Sequence, residues 1–411
     1  MQVFLVGGAV RDALLGLPAR ERDWLVVGAT PEQMLARGYT PVGKDFPVFL
    51  HPQTREEYAL ARTERKSGRG YGGFQFDTSP DISVEQDLYR RDLTINAMAQ
   101  DATGQVIDPY GGQRDLQQKI LRHVSPAFIE DPLRVLRVAR FAARYHPLGF
   151  RVAEETLALM RHIHEAGELQ FLVAERVWQE IEKAILENCP AVFIETLRSC
   201  GALVTLLPEV DRLFGVPQRA EYHPEVDSGI HALLSLQQAA HLSNEGAVRF
   251  AALVHDVGKG STPPAEWPAH IAHEKRSLLL IRQLCQRLPV PHPWRDLALL
   301  AAEFHTHCHR AAELRAETLH KVIKACRALH HPERLEQFLL VCEADARGRT
   351  GLEQRDYPQP QRFRAALAAC RSVSATALAA EGYEGARLGK ELEQRQIEAI
   401  RSQVPKTGGA A

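Results

Sequence analysis

A chain of 411 residues is too long for one small hydrophobic core and implies about two to four domains. Its 45% hydrophobic and 25% charged residues describe an ordinary globular protein, and a net charge of -1 leaves any nucleic-acid surface to a local basic patch. No apolar run reaches membrane-span length, the N-terminus reads as a strand and not as a signal peptide, and the seven cysteines contain no Cys-x-x-Cys pair, so a cytoplasmic protein without disulfides is expected.

The first stretch, Phe4 to Val27, reads FLVGGAVRDALLGLPARERDWLVV: strand, Gly-Gly turn, short helix, loop, strand. Gly7 and Gly8 let backbone N–H groups approach a ligand closely, and a helix beginning near Ala9 aims its positive end the same way, which suits phosphates. Glu21 and Asp23, two apart at the start of the strand Trp24 to Val27, project from one face. Alone they read more readily as an ordinary solvated strand edge. Beside the Gly-Gly turn and Arg11-Asp12 they suit a pair of Mg²⁺ ions, which bridge a triphosphate and activate a hydroxyl.

Further strands are expected at Val3 to Val6, at Val48 to Leu50 and near Glu57 to Arg62. Glu57 is a third candidate carboxylate. Its neighbour Glu56 faces the other way, and a one-residue error of frame exchanges the two. The Gly-rich stretch Glu64 to Pro80 reads either as a flap beside the site or as an inert surface loop. Arg90-Arg91-Asp92 sets two guanidinium groups beside a carboxylate at a helix start, fit for phosphate contacts or for a capping ion pair. On a helix opened by Asp131-Pro132 and running through Arg144, Arg134, Arg137, Arg140 and Arg144 recur at steps of three or four. They form a stripe of one sign, which is either a solvated face or a polyanion site.

After about Pro126 the strand signals stop and amphipathic helices follow, among them Ala174 to Glu187. Pro208 to Asp227 reads as a Pro/Gly-rich linker. From Ser228 to about His330 the pattern is helical and rich in His, it stays helical to about Arg401, and the final VPKTGGAA reads as disordered. His231, the pair His255-Asp256 on the helix Val248 to Val257, and the distant Asp345 supply N and O ligands for a transition metal that activates water. Val257-Gly258-Lys259-Gly260-Ser261 lacks the spacing of a P-loop. In His305-Thr306-His307-Cys308-His309 most residues read as exposed polar groups.

LVGGAVRDALLG with ERDW, then RRDLTINA, DPYGGQRDL and EDPLRVLRVARF resemble, in that order, the successive motifs of bacterial class II CCA-adding enzymes, the tRNA nucleotidyltransferases. The second half resembles the HD-containing members of that family and the HD phosphohydrolase pattern. The resemblance implies an α+β fold, with a nucleotidyltransferase head of mixed sheet and helices at 1–140. An all-α neck and body with a linker would fill 141–227, an HD domain 228–330 and a helical tail 331–411. It implies addition of C, C and A to the tRNA 3′ end from CTP and ATP, with Mg²⁺ on Glu21 and Asp23 and nucleotide contacts from Gly8, Arg11, Arg91, Arg137 and Arg140.

Asp131 and Arg134 would read the base. A carboxylate accepts from an exocyclic amino group while a guanidinium donates to the adjacent ring nitrogen, a pattern that cytosine and adenine share and uracil and guanine reverse. The HD ligands His231, His255, Asp256 and Asp345 would hold a transition metal, Ni²⁺ among the candidates, for hydrolysis of cyclic phosphates, 2′-nucleotides or phosphate monoesters. Glu21 departs from the Asp usual in the family at that position. A bacterial poly(A) polymerase, or an RNA-binding HD phosphohydrolase with an inactive head, are the rival readings, and monomer and homodimer both remain open.

Overall fold

The computed structural model describes residues 1–18, 22–42, 48–66, 74–77 and 79–404, with backbone alone at 64–66 and 74–76. Glu21, residues 67–73 and 78 of the Gly-rich stretch and the tail after Val404 lie outside the described residues. The chain divides into two compact units, Met1–Ala184 with Val192–Leu206, and Ile185–Ala191 with Leu207–Ala411. No described helix is long and apolar enough to cross a membrane.

The first unit is built on a seven-stranded mixed sheet. Its strands are β1 (Gln2–Val6), β2 (Asp23–Val27), β3 (Thr40–Val42), β4 (Val48–Leu50), β5 (Glu57–Leu60), β8 (Ala99–Gln100) and β9 (Val106–Ile107), in the order β3-β4-β5-β2-β1-β8-β9. β6 (Thr63–Lys66) and β7 (Phe74–Asp77) pair with each other as a separate ribbon. β2 is antiparallel to β1 and parallel to β5. Alternation along these strands supplies two cores. Phe4, Val6 and Leu25 pack with Val84 and Leu88 of α3 (Val84–Tyr89), while Val26, Phe49 and Leu60 pack with Met34 of α2 (Pro31–Ala36). The strands β3, β8 and β9 were not expected, because two or three residues are too few for a period of two to register. A two-residue parallel pair, β10 (Ile120–Leu121) with β11 (Arg151–Val152), also extends strand structure past Pro126.

The remaining helices of this unit are α1 (Gly8–Leu14), α4 (Gly112–Gln118), α5 (Arg134–Tyr145), α6 (Glu154–Glu165), α7 (Ala174–Ile185), α8 (Pro190–Ser199) and α9 (Leu203–Leu206), the last residues of α7 and the first of α8 passing into the second unit. α5 begins at Arg134 and not at Asp131, since the residue before a proline is pushed out of the helical region and Asp131 is extended, at φ -114 and ψ 100.

In the second unit α10 (Pro208–Asp211) precedes α11 (Ser228–Leu242), α12 (Gly246–Val254), α13 (His273–Arg287), α14 (His292–His309), α15 (Ala316–Ala325) and α16 (Pro332–Arg347). A tail of α17 (Gln359–Arg371), α18 (Ala375–Ala380) and α19 (Gly385–Gln403) follows. α11 pairs with α12 and α16, and α14 with α12, α13 and α16. Pro208 to Asp227 is no open linker. Val210, Leu213, Val216 and Gln218 are buried, and Asp227 caps α11 by accepting from Gly229 and Ile230 N–H at 2.7 and 3.0 Å. Pro208 opens α10, and Gly215 and Pro224 lie in turns of a packed segment.

Candidate active sites

The strand register decides how the head carboxylates meet. Asp23 stands opposite Val6 on β1, one residue before Gly7, and beside Glu57 on β5. Partners in parallel strands share a face, so Asp23 and Glu57 project together on the side of Leu25 and Ala59. Glu56 takes the other side, accepting from the Trp24 indole N–H at 3.1 Å. Two exposed like charges side by side are unfavourable without a cation. An all-oxygen set of this kind suits Mg²⁺.

The turn that follows β1 depends on glycine. Gly7 has φ 67 and ψ -125, and a Cβ there would stand 2.9 Å from Arg91 Nη1. Arg91 thus lies directly over the turn that leads into α1. It is held there by Asp87, a fully buried carboxylate of α3 that binds Arg90 Nη2 at 2.7 Å and Arg91 Nη2 at 3.2 Å. Burial pushes the Asp87 carboxyl up, but the two guanidinium groups outweigh it and keep it below the usual carboxylate range. Asp87 was missed in the sequence, although its spacing to Arg90 and Arg91, i to i+3 and i+4, is a legible signal.

The arginine stripe of α5 is compensated from other segments. Arg137 Nη2 lies 2.7 Å from Asp92, Arg140 Nε 2.6 Å from Glu180, and Arg144 Nη2 3.6 Å from Asp12. Arg134 donates to the backbone carbonyls of Ala127 and Arg90 at 2.7 and 2.6 Å. Arg11 is also interior: its guanidinium bonds to Asp12 and Asn96 and lies 5.3 and 5.2 Å from the ring centres of Phe141 and Tyr145. Asp131 accepts from Leu133 N–H at 3.1 Å and from Arg176 at 3.3 Å. Asp131 and Arg134 are therefore neighbours in sequence, each engaged with other parts of the chain. Glu180 and Arg176, both on α7, hold Arg140 and Asp131 and were passed over by the sequence reading.

The second centre is buried among α11, α12, α14 and α16. His231, His255, Asp256 and Asp345 are all 3% exposed or less. His231 Nε2 lies 3.1 Å from Asp345 Oδ1, and His255 Nε2 lies 3.4 Å from Asp256 Oδ2 and 3.6 Å from Asp345 Oδ2. The Nδ1 of His231 lies 2.9 Å from the Gly348 carbonyl, and that of His255 2.9 Å from the Ala252 carbonyl. A carbonyl only accepts, so Nδ1 carries the ring proton and Nε2 presents a lone pair to the carboxylates. His231 Nε2, His255 Nε2 and Asp256 Oδ1 are buried without hydrogen-bond partners. Fixed tautomers with bare nitrogens facing carboxylates are what a metal ion requires. The residues fit a divalent transition metal.

A cavity of about 180 Å³ opens beside these ligands, lined among others by Arg219, Lys259, His273, His309 and Arg349. Lys259 bonds Asp256 and Gln218. Burial drives Asp256 upward, yet Lys259 and His255 hold it well below its ordinary range. His309 lies 2.6 Å from Asp345 and 2.9 Å from the Tyr357 hydroxyl. The expectation that His305 to His309 are exposed polar residues is corrected: His305 and Cys308 are buried and none of the five is exposed, because α14 turns one face into the core. Glu225, 3.1 Å from both His223 and His231, comes from the segment expected to be a linker.

The chain is 59% identical over 401 residues to the multifunctional CCA protein of Hahella chejuensis, covering 98% of this chain and 95% of that one. It is 58% identical over 410 residues to that of Pseudomonas aeruginosa, covering 100% of both. The chain belongs to the multifunctional CCA protein family. Within the chain, residues 3–122 match the poly A polymerase head domain, 149–214 the probable RNA and SrmB-binding site of polymerase A, and 229–348 the HD domain. The Bacillus stearothermophilus CCA-adding enzyme in complex with CTP shares the fold, with a TM-score of 0.64 at 22% identity over 98% of this chain and 90% of that one. So does the Thermotoga maritima CCA-adding enzyme complexed with tRNA, at 0.63 and 18% over 99% and 88%. A nucleotidyltransferase head and an HD domain imply dependence on divalent metal ions.

Proposed function

We propose that the chain adds C, C and A to the 3′ end of tRNA from CTP and ATP without a nucleic-acid template, and that its HD domain hydrolyses phosphate esters at damaged RNA ends. The observation that carries the first activity is the juxtaposition of Asp23 and Glu57 beside the Gly7 turn under Arg91, within a chain similar to multifunctional CCA proteins from end to end. Glu21, Asp23 and Glu57 would hold Mg²⁺, which stabilises attacking and leaving oxygens when the tRNA terminal hydroxyl displaces pyrophosphate from the α-phosphate. The chain's own residues provide the rest. Gly8 and Arg91 cradle the triphosphate at the start of α1, and Asp87 fixes the Arg91 fork. Arg11, Arg137 and Arg140 form the frame behind it through Asn96, Asp92 and Glu180.

Asp131 and Arg134 read the base by accepting from one edge group and donating to the next. An incoming base competes with the contacts these two already make to Arg176 and to the Ala127 and Arg90 carbonyls. The tRNA itself is bound by shape and backbone, and such work places the protein in the cytoplasm.

The HD reading rests on His231, His255, Asp256 and Asp345 and on the basic cavity beside them, which suits a phosphate group. Imidazole ligands favour a transition metal such as Ni²⁺ over Mg²⁺. Incubation with a tRNA transcript lacking CCA tests the main reading. CTP alone should add two residues, CTP with ATP three, and UTP or GTP none. Long A tracts grown from ATP alone on any RNA would identify a poly(A) polymerase instead.

A further inference from the structure

The cavity beside His231, His255, Asp256 and Asp345 adjoins a second recess of about 450 Å³, and Gln218, Arg219, Tyr222 and Pro268 line both. The two differ in charge and size. Arg219, Lys259 and Arg349 line the inner cavity, which at about 180 Å³ suits a small anion. The described residues that line the outer recess carry one charge of each sign, on Arg219 and Glu221. Its volume lies within the range of about 300–1,000 Å³ usual for sites that take a small molecule. The outer recess therefore fits the larger, uncharged part of a molecule whose anionic end lies in the inner cavity.

Tyr222 is 61% exposed, yet its backbone is held in place. Its N–H donates to the Arg219 carbonyl at 3.1 Å, and its own carbonyl accepts from Arg349 Nη1 at 3.1 Å, which ties the outer recess to a wall of the inner cavity. Gln218 gives an independent sign of a ligand. Lys259 Nζ can only donate, so the Gln218 side-chain oxygen faces it and the amide NH₂ is the end left over. That nitrogen is buried without a hydrogen-bond partner, on a residue 4% exposed where the two spaces meet. An acceptor entering from the cavity satisfies such a donor, as a sugar oxygen next to a bound phosphate would.

We infer that the outer recess is a nucleoside subsite: when the phosphate of an RNA end occupies the inner cavity, the terminal base stacks on the Tyr222 ring and the sugar passes Gln218. The inference rests on the reading of the HD domain as a phosphohydrolase. An aromatic face accepts any base, so the subsite selects nucleotides over other phosphate esters without choosing among sequences.

The test compares two secondary phosphate monoesters, adenosine 2′-phosphate and glycerol 2-phosphate, using the full-length protein loaded with Ni²⁺. The parent should prefer the nucleotide by about tenfold or more in kcat/KM. In Tyr222→Ala that preference should shrink about tenfold through a rise in KM at nearly constant kcat, as the loss of one base–aromatic stack implies, while Tyr222→Phe keeps it. Cytidine 2′-phosphate should show the same loss. A preference that Tyr222→Ala leaves unchanged, or that Tyr222→Phe loses as well, overturns the subsite while hydrolysis itself stands. No hydrolysis of either ester by the parent overturns the phosphohydrolase reading and the subsite with it.

Discussion

Arg140→Met is expected to weaken the nucleotidyltransferase unit itself, before any effect on its ligands. Arg140 Nε donates to Glu180 at 2.6 Å, and the two side chains are only 10% and 6% exposed. Removing one partner of such a pair strands a buried carboxylate, at a cost of about 3–5 kcal/mol. Arg137 Nη1, 4.0 Å from the other Glu180 oxygen, survives the substitution and brings the loss below that range, to about 2–3 kcal/mol. The methionine keeps most of the apolar stem over Phe141, whose ring centre lies 4.6 Å from the guanidinium carbon. At about 2–4 °C per kcal/mol for a unit of this size, the melting transition should fall by about 4–12 °C. Adding Glu180→Leu removes the stranded charge and should recover most of that loss. Calorimetry of the parent, both single variants and the double variant, with kcat/KM for CTP measured in parallel, reads the cycle. An Arg140→Met protein that melts within about 1 °C of the parent while kcat/KM falls tenfold or more would put Arg140 on the nucleotide and refute the structural assignment.

Glu57→Gln should lower CMP addition by about 100-fold or more while leaving the melting temperature in place, because Glu57 is exposed and its neighbour is another carboxylate. Glu56→Gln, which touches the Trp24 indole, should change addition by less than about threefold, and the reverse ranking in primer extension would show that the register was misread. Asp92 gives a pH signature. Burial raises its carboxyl, but Arg137 and the Asn96 amide outweigh that and hold it far below the ordinary value. A depressed folded value means its stabilisation is complete above about pH 4 and is lost as the pH falls. The melting gap between parent and Asp92→Asn should therefore be widest near neutrality and narrow as the pH falls below about 4, and a gap independent of pH would count against the pair. The two ligand sets should also separate by chelator: 1,10-phenanthroline in excess Mg²⁺ should abolish phosphate-ester hydrolysis and spare CCA addition, and equal loss of both would argue against imidazole ligation confined to the HD domain.

Short-range chemistry was the legible part of the head. The Gly-Gly turn after an apolar strand, the carboxylate two residues into the next exposed edge, and the helix of arginines at steps of three or four all follow from local periodicity and can be found by reading along the chain. What periodicity cannot supply is the other half of each pair. Asp92 and Arg137 are 45 residues apart, Arg140 and Glu180 40, Arg11 and Asn96 85. A row of arginines without acids on its own helix looked like an anion-binding face, whereas the acids arrive from three other segments and make most of that face interior.

The HD domain shows the same limit in a sharper form. His-Asp at 255–256 is conspicuous by adjacency, and His231 and Asp345 complete it only because a known pattern links them. Nothing in a sequence tells a ligand histidine from a surface one, since the difference lies in the Nδ1 partner. That partner is a backbone carbonyl, at Gly348 for His231, Ala252 for His255, His270 for His273 and Ala301 for His305. Every residue has a carbonyl, so no residue type marks the acceptor. Only packing decides which one an imidazole meets, and at His305 burial outweighs the nearby carboxylates and pushes the ring down to about 3. A helix that carries His305 and His309 four apart on one inward face therefore reads from its letters as polar surface, and from its environment as one wall of the cavity beside His231, His255, Asp256 and Asp345.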